Sequence, residues 1–194
     1  MRLYLFLVII SASGLVMAQN NSSYYKSIRE FEPSEEYPFG RLNPNASPEV
    51  AQFSFMIGIC DCIDSIRNQD GGWFSFPSIW QTKYFLNGTG IQDNYFNSQN
   101  PTSSLRLYDP ISKSWKVTYA QLGRGYFVGT WEGGMVGDKM ILTQEQTTST
   151  GQKFISRLTF SGISNEGFDW ISESVFADGK TTPGWIIHCK KRKQ

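Results

Sequence analysis

The chain has 194 residues with 18 basic and 17 acidic side chains, and 15% of it is aromatic. So even a charge balance gives no general electrostatic grip on nucleic acid or on an anionic membrane, and no nucleic-acid partner is expected. The length fits a single domain able to bury a sizeable core.

Residues 1–18 read as a cleaved signal peptide. Arg2 precedes an apolar run from Leu3 to Ile10, and Val16-Met17-Ala18 sets short side chains where signal peptidase cuts. Ser11, Ser13 and Gly14 interrupt a stretch already shorter than the ~20 residues of a membrane span, so no stable membrane insertion is expected. The mature protein is therefore expected to be secreted and extracellular, or periplasmic in a bacterium. Loss of Arg2 leaves it formally neutral.

Residues 19–46 recur in Asn, Ser, Glu and Pro without helical or strand periodicity, and read as a flexible polar leader. Sequons occur at Asn20, Asn21, Asn45 and Asn87. Asn45 and Asn87 are the candidate glycosylation sites, provided the host glycosylates.

The domain proper spans 47–194. Ser47-Pro48-Glu49 supplies an N-cap, a proline at the first helical position and an acid in the first turn, which predicts a short helix closing toward Phe53. Beyond it the apolar period becomes two. Strands are predicted at 54–66, 77–86, 89–97, 103–109, 114–121, 126–132, 138–146, 152–161, 167–176 and 183–191. Asn87-Gly88 predicts a two-residue hairpin turn, and Asp109-Pro110, Gly133-Gly134 and Asp178-Gly179 mark other reversals.

Links this short force antiparallel neighbours. About ten such strands with no helices to cover their edges are satisfied by closure, so the fold class is all-β: a single up-and-down antiparallel barrel with a short N-terminal helix. Trp115, Val117 and Tyr119 alternate with Lys116 and Thr118, and Phe154, Leu158 and Phe160 with Arg157 and Thr159; Phe168, Trp170 and Phe176 share a parity with Ser172 and Ser174, while Trp185, Ile187 and Cys189 share another face. These sets should face the interior. Arg157 and Glu173 lie on neighbouring strands and are expected to pair.

Catalytic chemistry has little to use. The only histidine is His188, placed by alternation on the outer face with Ile186 and Lys190, and no Gly-x-Ser-x-Gly turn presents a nucleophile. Gly179-Lys180-Thr181 is not a phosphate loop, because Ser174 stands where its first glycine belongs and no helix follows. No catalytic residue is assigned and a non-enzymatic role is favoured, with an enzyme acting on a small lipophilic substrate as an alternative. Cys60, Cys62, His188 and Cys189 make up a zinc inventory, but consecutive strand residues face opposite ways and an oxidising compartment opposes thiolate ligation. No metal is expected. Three cysteines imply one disulfide and a free thiol, or an intermolecular link.

The segment Phe53-Ser54-Phe55-Met56-Ile57-Gly58-Ile59-Cys60-Asp61 resembles the opening strand of lipocalin-like (calycin-type) barrels, in a branch that opens F-x-F-x-x-G-x-W-D. Leu86 through Asp93, Leu107 through Pro110, Arg157 through Phe160 and Asp178 through Trp185 are similar to that branch as well, in the same order, over roughly residues 50–192. In the family the tryptophan packs across the closed end against a basic residue of the last strand, so Cys60 in its place implies a different closure. The cysteines offer one. In a closed barrel the first strand meets the last, and Cys60 or Cys62, which share a face, would approach Cys189.

The resemblance implies a lumen that binds a small hydrophobic molecule, with Trp80, Tyr84, Trp115, Tyr119, Trp170 and Trp185 as its wall. Two alternatives stand beside it. One is a haem barrel, since the chain is also similar in outline to haem-binding barrels of the nitrobindin type, whose C-terminal histidine His188 would mimic; no other cofactor is expected. The other is a filled, non-enzymatic barrel that contacts another protein.

Overall fold

The computed structural model describes residues 24–98, 101–123 and 127–193. Residues 1–18, read above as a signal peptide, and the sequons at Asn20 and Asn21 lie outside the described residues.

Ten strands follow one another: β1 (Gly58–Arg67), β2 (Trp73–Phe85), β3 (Gly90–Phe96), β4 (Thr102–Asp109), β5 (Ser114–Gln121), β6 (Phe127–Val136), β7 (Lys139–Thr147), β8 (Lys153–Ser161), β9 (Gly167–Phe176) and β10 (Thr181–Lys191). Each pairs antiparallel with its neighbour in sequence, and β1 pairs with both β2 and β10, so the sheet closes into a barrel. Alternation does the sorting. Along β1, Cys60, Cys62 and Asp64 are buried while Asp61 and Ile63 face solvent. Arg157 and Glu173 sit opposite each other on β8 and β9, with Arg157 Nη2 at 2.9 Å from Glu173 Oε2.

The expected helix is a 3-10 segment, Pro48–Met56, and it runs past Phe53. Residues 54–56 therefore belong to this segment and not to β1, which starts at Gly58. The spacing of Phe53 and Phe55 imitates a strand, but both rings are buried at one end of the barrel. Phe53 meets Trp115 and Phe160 edge-on at 4.7 and 5.7 Å, and Phe55 meets Phe160 and Phe168. Such contacts favour the quadrupole arrangement of aromatic pairs. The segment is thus a plug. The last strand reaches across it, with Lys191 Nζ donating to the Phe55 carbonyl at 3.4 Å.

Two turns differ from expectation. Gly133-Gly134 lies inside β6, and the chain reverses at Gly137-Asp138 instead. A Cβ on Gly133 would stand 2.0 Å from the Ile141 carbonyl of β7, so this glycine admits close strand approach where the sequence suggests a turn. The β2–β3 reversal takes four residues, 86–89, in which Leu86, Asn87 and Gly88 all adopt the left-handed conformation.

Residues 31–43 of the polar leader lie against that β2–β3 loop. Phe31 N–H donates to Asn87 Oδ1 at 2.9 Å, Asn43 N–H donates to the Gly88 carbonyl at 3.1 Å, and Tyr84 N–H donates to the Phe39 carbonyl at 2.9 Å. The Arg41 guanidinium lies over the Phe31 and Tyr37 rings. The plug and this strap occupy the same end of the barrel.

The seam between first and last strands carries a disulfide. Cys62 and Cys189 are register partners and are bonded to each other, which leaves Cys60 as a buried thiol opposite Lys191. The bridge joins residues 127 apart, and the chain-entropy model values closure of a loop this long at about 5 kcal/mol.

Candidate functional site

At the end opposite the plug the interior is not filled. A cavity of about 260 Å³ lies between Trp80, Trp131, Trp170 and Trp185 and is completed by Tyr95, Tyr119, Val117, Leu142, Leu158 and Phe160. Every strand contributes to the lining by the same alternation that built the core, β4 through Thr102, Ser104 and Arg106 and the others through aromatic or branched side chains, Ile66 of β1 and Ile187 of β10 among them. Ile66, Phe76, Thr102 and Gln121 lie near strand ends and mark the mouth.

Part of the wall is fixed by a buried carboxyl group. Asp64 is inaccessible to solvent and accepts hydrogen bonds from Trp185 Nε1 at 2.7 Å and from the Tyr95 and Ser78 hydroxyls. Three donors converging on two oxygens suit a carboxylate and lock two wall rings in orientation. Burial, reinforced by the bond to Asp64, holds the Tyr95 phenol well above the usual tyrosine range.

At the floor, Arg106 on β4 forms a buried ion pair with Asp93 on β3, and its guanidinium stacks on Phe53 of the plug at 5.2 Å. Burial lowers the Arg106 pKa to about 9, while Asp93 favours the charged form. Arg106 Nε and Asp93 Oδ1 have no hydrogen-bond partner among the described residues, and neither does Trp80 Nε1.

Of the six wall residues expected from sequence, Trp80, Tyr119, Trp170 and Trp185 line the cavity. Tyr84 and Trp115 do not. They have the right parity but lie near the closed ends of β2 and β5, where Trp115 packs on Phe53 and donates to Gln52 Oε1 at 3.0 Å, and Tyr84 packs behind the strap at Gly40. Parity tells inside from outside, but height along the barrel decides whether an inward residue meets the plug or the cavity. Trp131, a strand tryptophan of the same kind, also lines the cavity, whereas Tyr95, Asp64, Asp93 and Arg106 went unread in the sequence. The signal was present for the charged three, since each sits at an inward parity where an ionisable side chain needs a partner.

His188 stands on the outer face, well exposed, with Nδ1 at 2.7 Å from Asp169 Oδ1. It is the only histidine in the chain, so a haem in the lumen would find no imidazole ligand and the residues present do not fit that group. Cys62 and Cys189 are bonded to each other and cannot serve as thiolates for zinc. Asn45 is exposed, whereas Asn87 is half-buried beneath the strap with its side-chain oxygen engaged by Phe31. A second, shallower groove on the outer face is lined by Ile63, Pro77, Ile79 and Phe96.

No family model and no curated protein matches this sequence. Among solved structures the chain is similar to one described as the crystal structure of Rv2717c from M. tuberculosis, at 7% identity and a TM-score of 0.49, covering 77% of this chain and 100% of that one.

Proposed function

We propose that the protein is a secreted, lipocalin-like barrel that binds a small hydrophobic molecule in its lumen. The observation that carries this reading is the aromatic cavity of about 260 Å³ at the end opposite the plug. Ligand sites are typically concave, mostly apolar and furnished with a few placed polar groups, and this lumen has that composition. Its walls are held open by the Asp64 network, so a ligand would meet a pre-formed site and lose little affinity to ordering it. The Cys62–Cys189 bridge supports an oxidising compartment, in keeping with the signal-like start of the chain. Among the described residues no helix is long and apolar enough to cross a membrane.

The test is native mass spectrometry of mature protein purified from a secreting cell, together with uptake of a bicyclic aromatic probe. An organic mass that leaves on denaturation, or stoichiometric uptake of the probe, is the expected result. A clean protein mass combined with no uptake would overturn the reading in favour of a filled barrel.

A further inference from the structure

We infer that the lumen takes a compact, neutral ring ligand bearing a hydroxyl or amide group on one edge, with that edge held by Thr102, Ser104 and Gln121 and the ring laid against Trp170 and Trp185. The inference rests on the lumen-binding reading above and specifies its ligand.

The lumen is sided. β4 gives it Thr102, Ser104 and Arg106 and no apolar side chain, whereas β6, β7 and β8 give it Trp131, Leu142, Leu158 and Phe160. In a closed barrel of ten strands β9 stands five places from β4 in either direction, so Trp170, with Trp185 on the adjoining β10, faces the β4 strip across the cavity. Those two indoles meet edge to face at 5.5 Å, and Trp185 is held further by its bond to Asp64. They present a fixed apolar wall.

Register builds the polar side. Thr102 pairs with Gln121 at the mouth, and Ser104 pairs with Tyr119 two residues deeper. Opposed residues on one face of an antiparallel pair have Cβ atoms about 5 Å apart, and residues two apart along a strand are separated by about 7 Å. Three polar groups thus lie within the span of one small ring system. Thr102, Ser104 and Gln121 are half-buried and line the cavity, and none makes a side-chain hydrogen bond among the described residues. Their polar atoms stay open to the lumen, unlike the sealed Asp93 oxygens and Arg106 Nε beneath them. Hydroxyl and amide groups both donate and accept, so a ligand group that does both satisfies them best. A bare hydrocarbon edge displaces the water that otherwise serves them and returns no bond.

Charge and size narrow the class. Arg106 and Asp93 are the charged residues of the lining, and they are committed to each other with 4% and 1% of their side chains exposed. A ligand carboxylate or ammonium would enter without a counter-charge. A cavity of about 150 Å³ is known to admit benzene, so about 260 Å³ suits a bicyclic ring or its equivalent, not a long acyl chain.

The test measures binding of four probes on one ring system by equilibrium dialysis at neutral pH: naphthalene, its alcohol 2-naphthol, its carboxylate and its aminomethyl cation. The naphthol is expected to bind about tenfold more tightly than naphthalene, and both charged probes more weakly than either. Thr102→Val combined with Ser104→Ala should bring the naphthol down to the affinity of naphthalene, and Gln121→Leu alone should weaken the naphthol by about threefold. The ranking in the unaltered protein decides the matter where a variant folds poorly. Equal binding of naphthol and hydrocarbon, tightest binding of a charged probe, or a naphthol preference that survives in the folded variants would overturn this inference and leave lumen binding standing. Failure of all four probes would overturn lumen binding itself.

Discussion

The two ends of this barrel are made from the same kinds of residue and do different things with them. At the plugged end Phe53, Phe55, Trp115, Phe160 and Phe168 interlock, and Phe53, Met56 and Trp115 have no exposed surface. At the other end Trp170, Trp185, Tyr95 and Tyr119 stand around a space, and Trp73 and Phe74 reach into solvent. What separates the ends is covalent connection. The 3-10 segment enters directly from the chain ahead of β1 and puts its own rings between the strands, whereas nothing described enters from the mouth. Aromatic content alone therefore says nothing about whether a barrel is solid, because the same rings form a core where a plug supplies opposing faces and a wall where it does not.

Several experiments would break or sharpen that contrast. The largest effect should come from the seam that serves both ends. Replacing Cys62 and Cys189 with alanine should lower unfolding free energy by about 4–5 kcal/mol in urea titrations, with the loop-closure term dominating. A loss under about 1 kcal/mol would mean that hydrogen bonding of β1 to β10 closes the barrel unaided.

Next comes a matched pair of truncations. Phe53→Ala, in the plug, should cost about 3–5 kcal/mol because the surrounding rings cannot collapse into the space. Phe76→Ala, half-buried at the mouth, should cost about 1 kcal/mol while changing probe uptake. Equal costs would show that the mouth is as tightly packed as the plug.

The smallest effect concerns pH. Burial raises the Cys60 thiol above its ordinary value of 9.0, so the folded state holds that proton more tightly than the unfolded chain. Its contribution to stability is fully present below pH 9.0 and is lost as pH rises through the folded pKa. Cys60→Ala should therefore show a shallower alkaline decline than the parent in urea midpoints taken from neutral pH upward. Parallel curves would place the thiol in contact with water.

Much of the architecture was legible in the residues. Trp115-Lys116-Val117-Thr118-Tyr119 states its inner face outright, and ten such runs joined by short links permit little besides sequential antiparallel pairing and closure. The outward position of His188 and the pairing of Arg157 with Glu173 follow from the same counting, because a strand's period of two is a local property.

What the chain could not state locally was anything that depends on depth or on partners distant in sequence. Residues 53–56 carry strand spacing but fold as a 3-10 plug, since only the finished barrel offers them an end to fill. Cys60 and Cys62 share a face, and the register that sets Cys62 against Cys189 and Cys60 against Lys191 comes from how β10 slides along β1. Likewise Trp80 and Trp115 look alike in sequence, both inward tryptophans. Tertiary structure alone gives one an amide acceptor beneath the plug and leaves the other facing a cavity, because height along a barrel is set by strand stagger, which no single strand encodes.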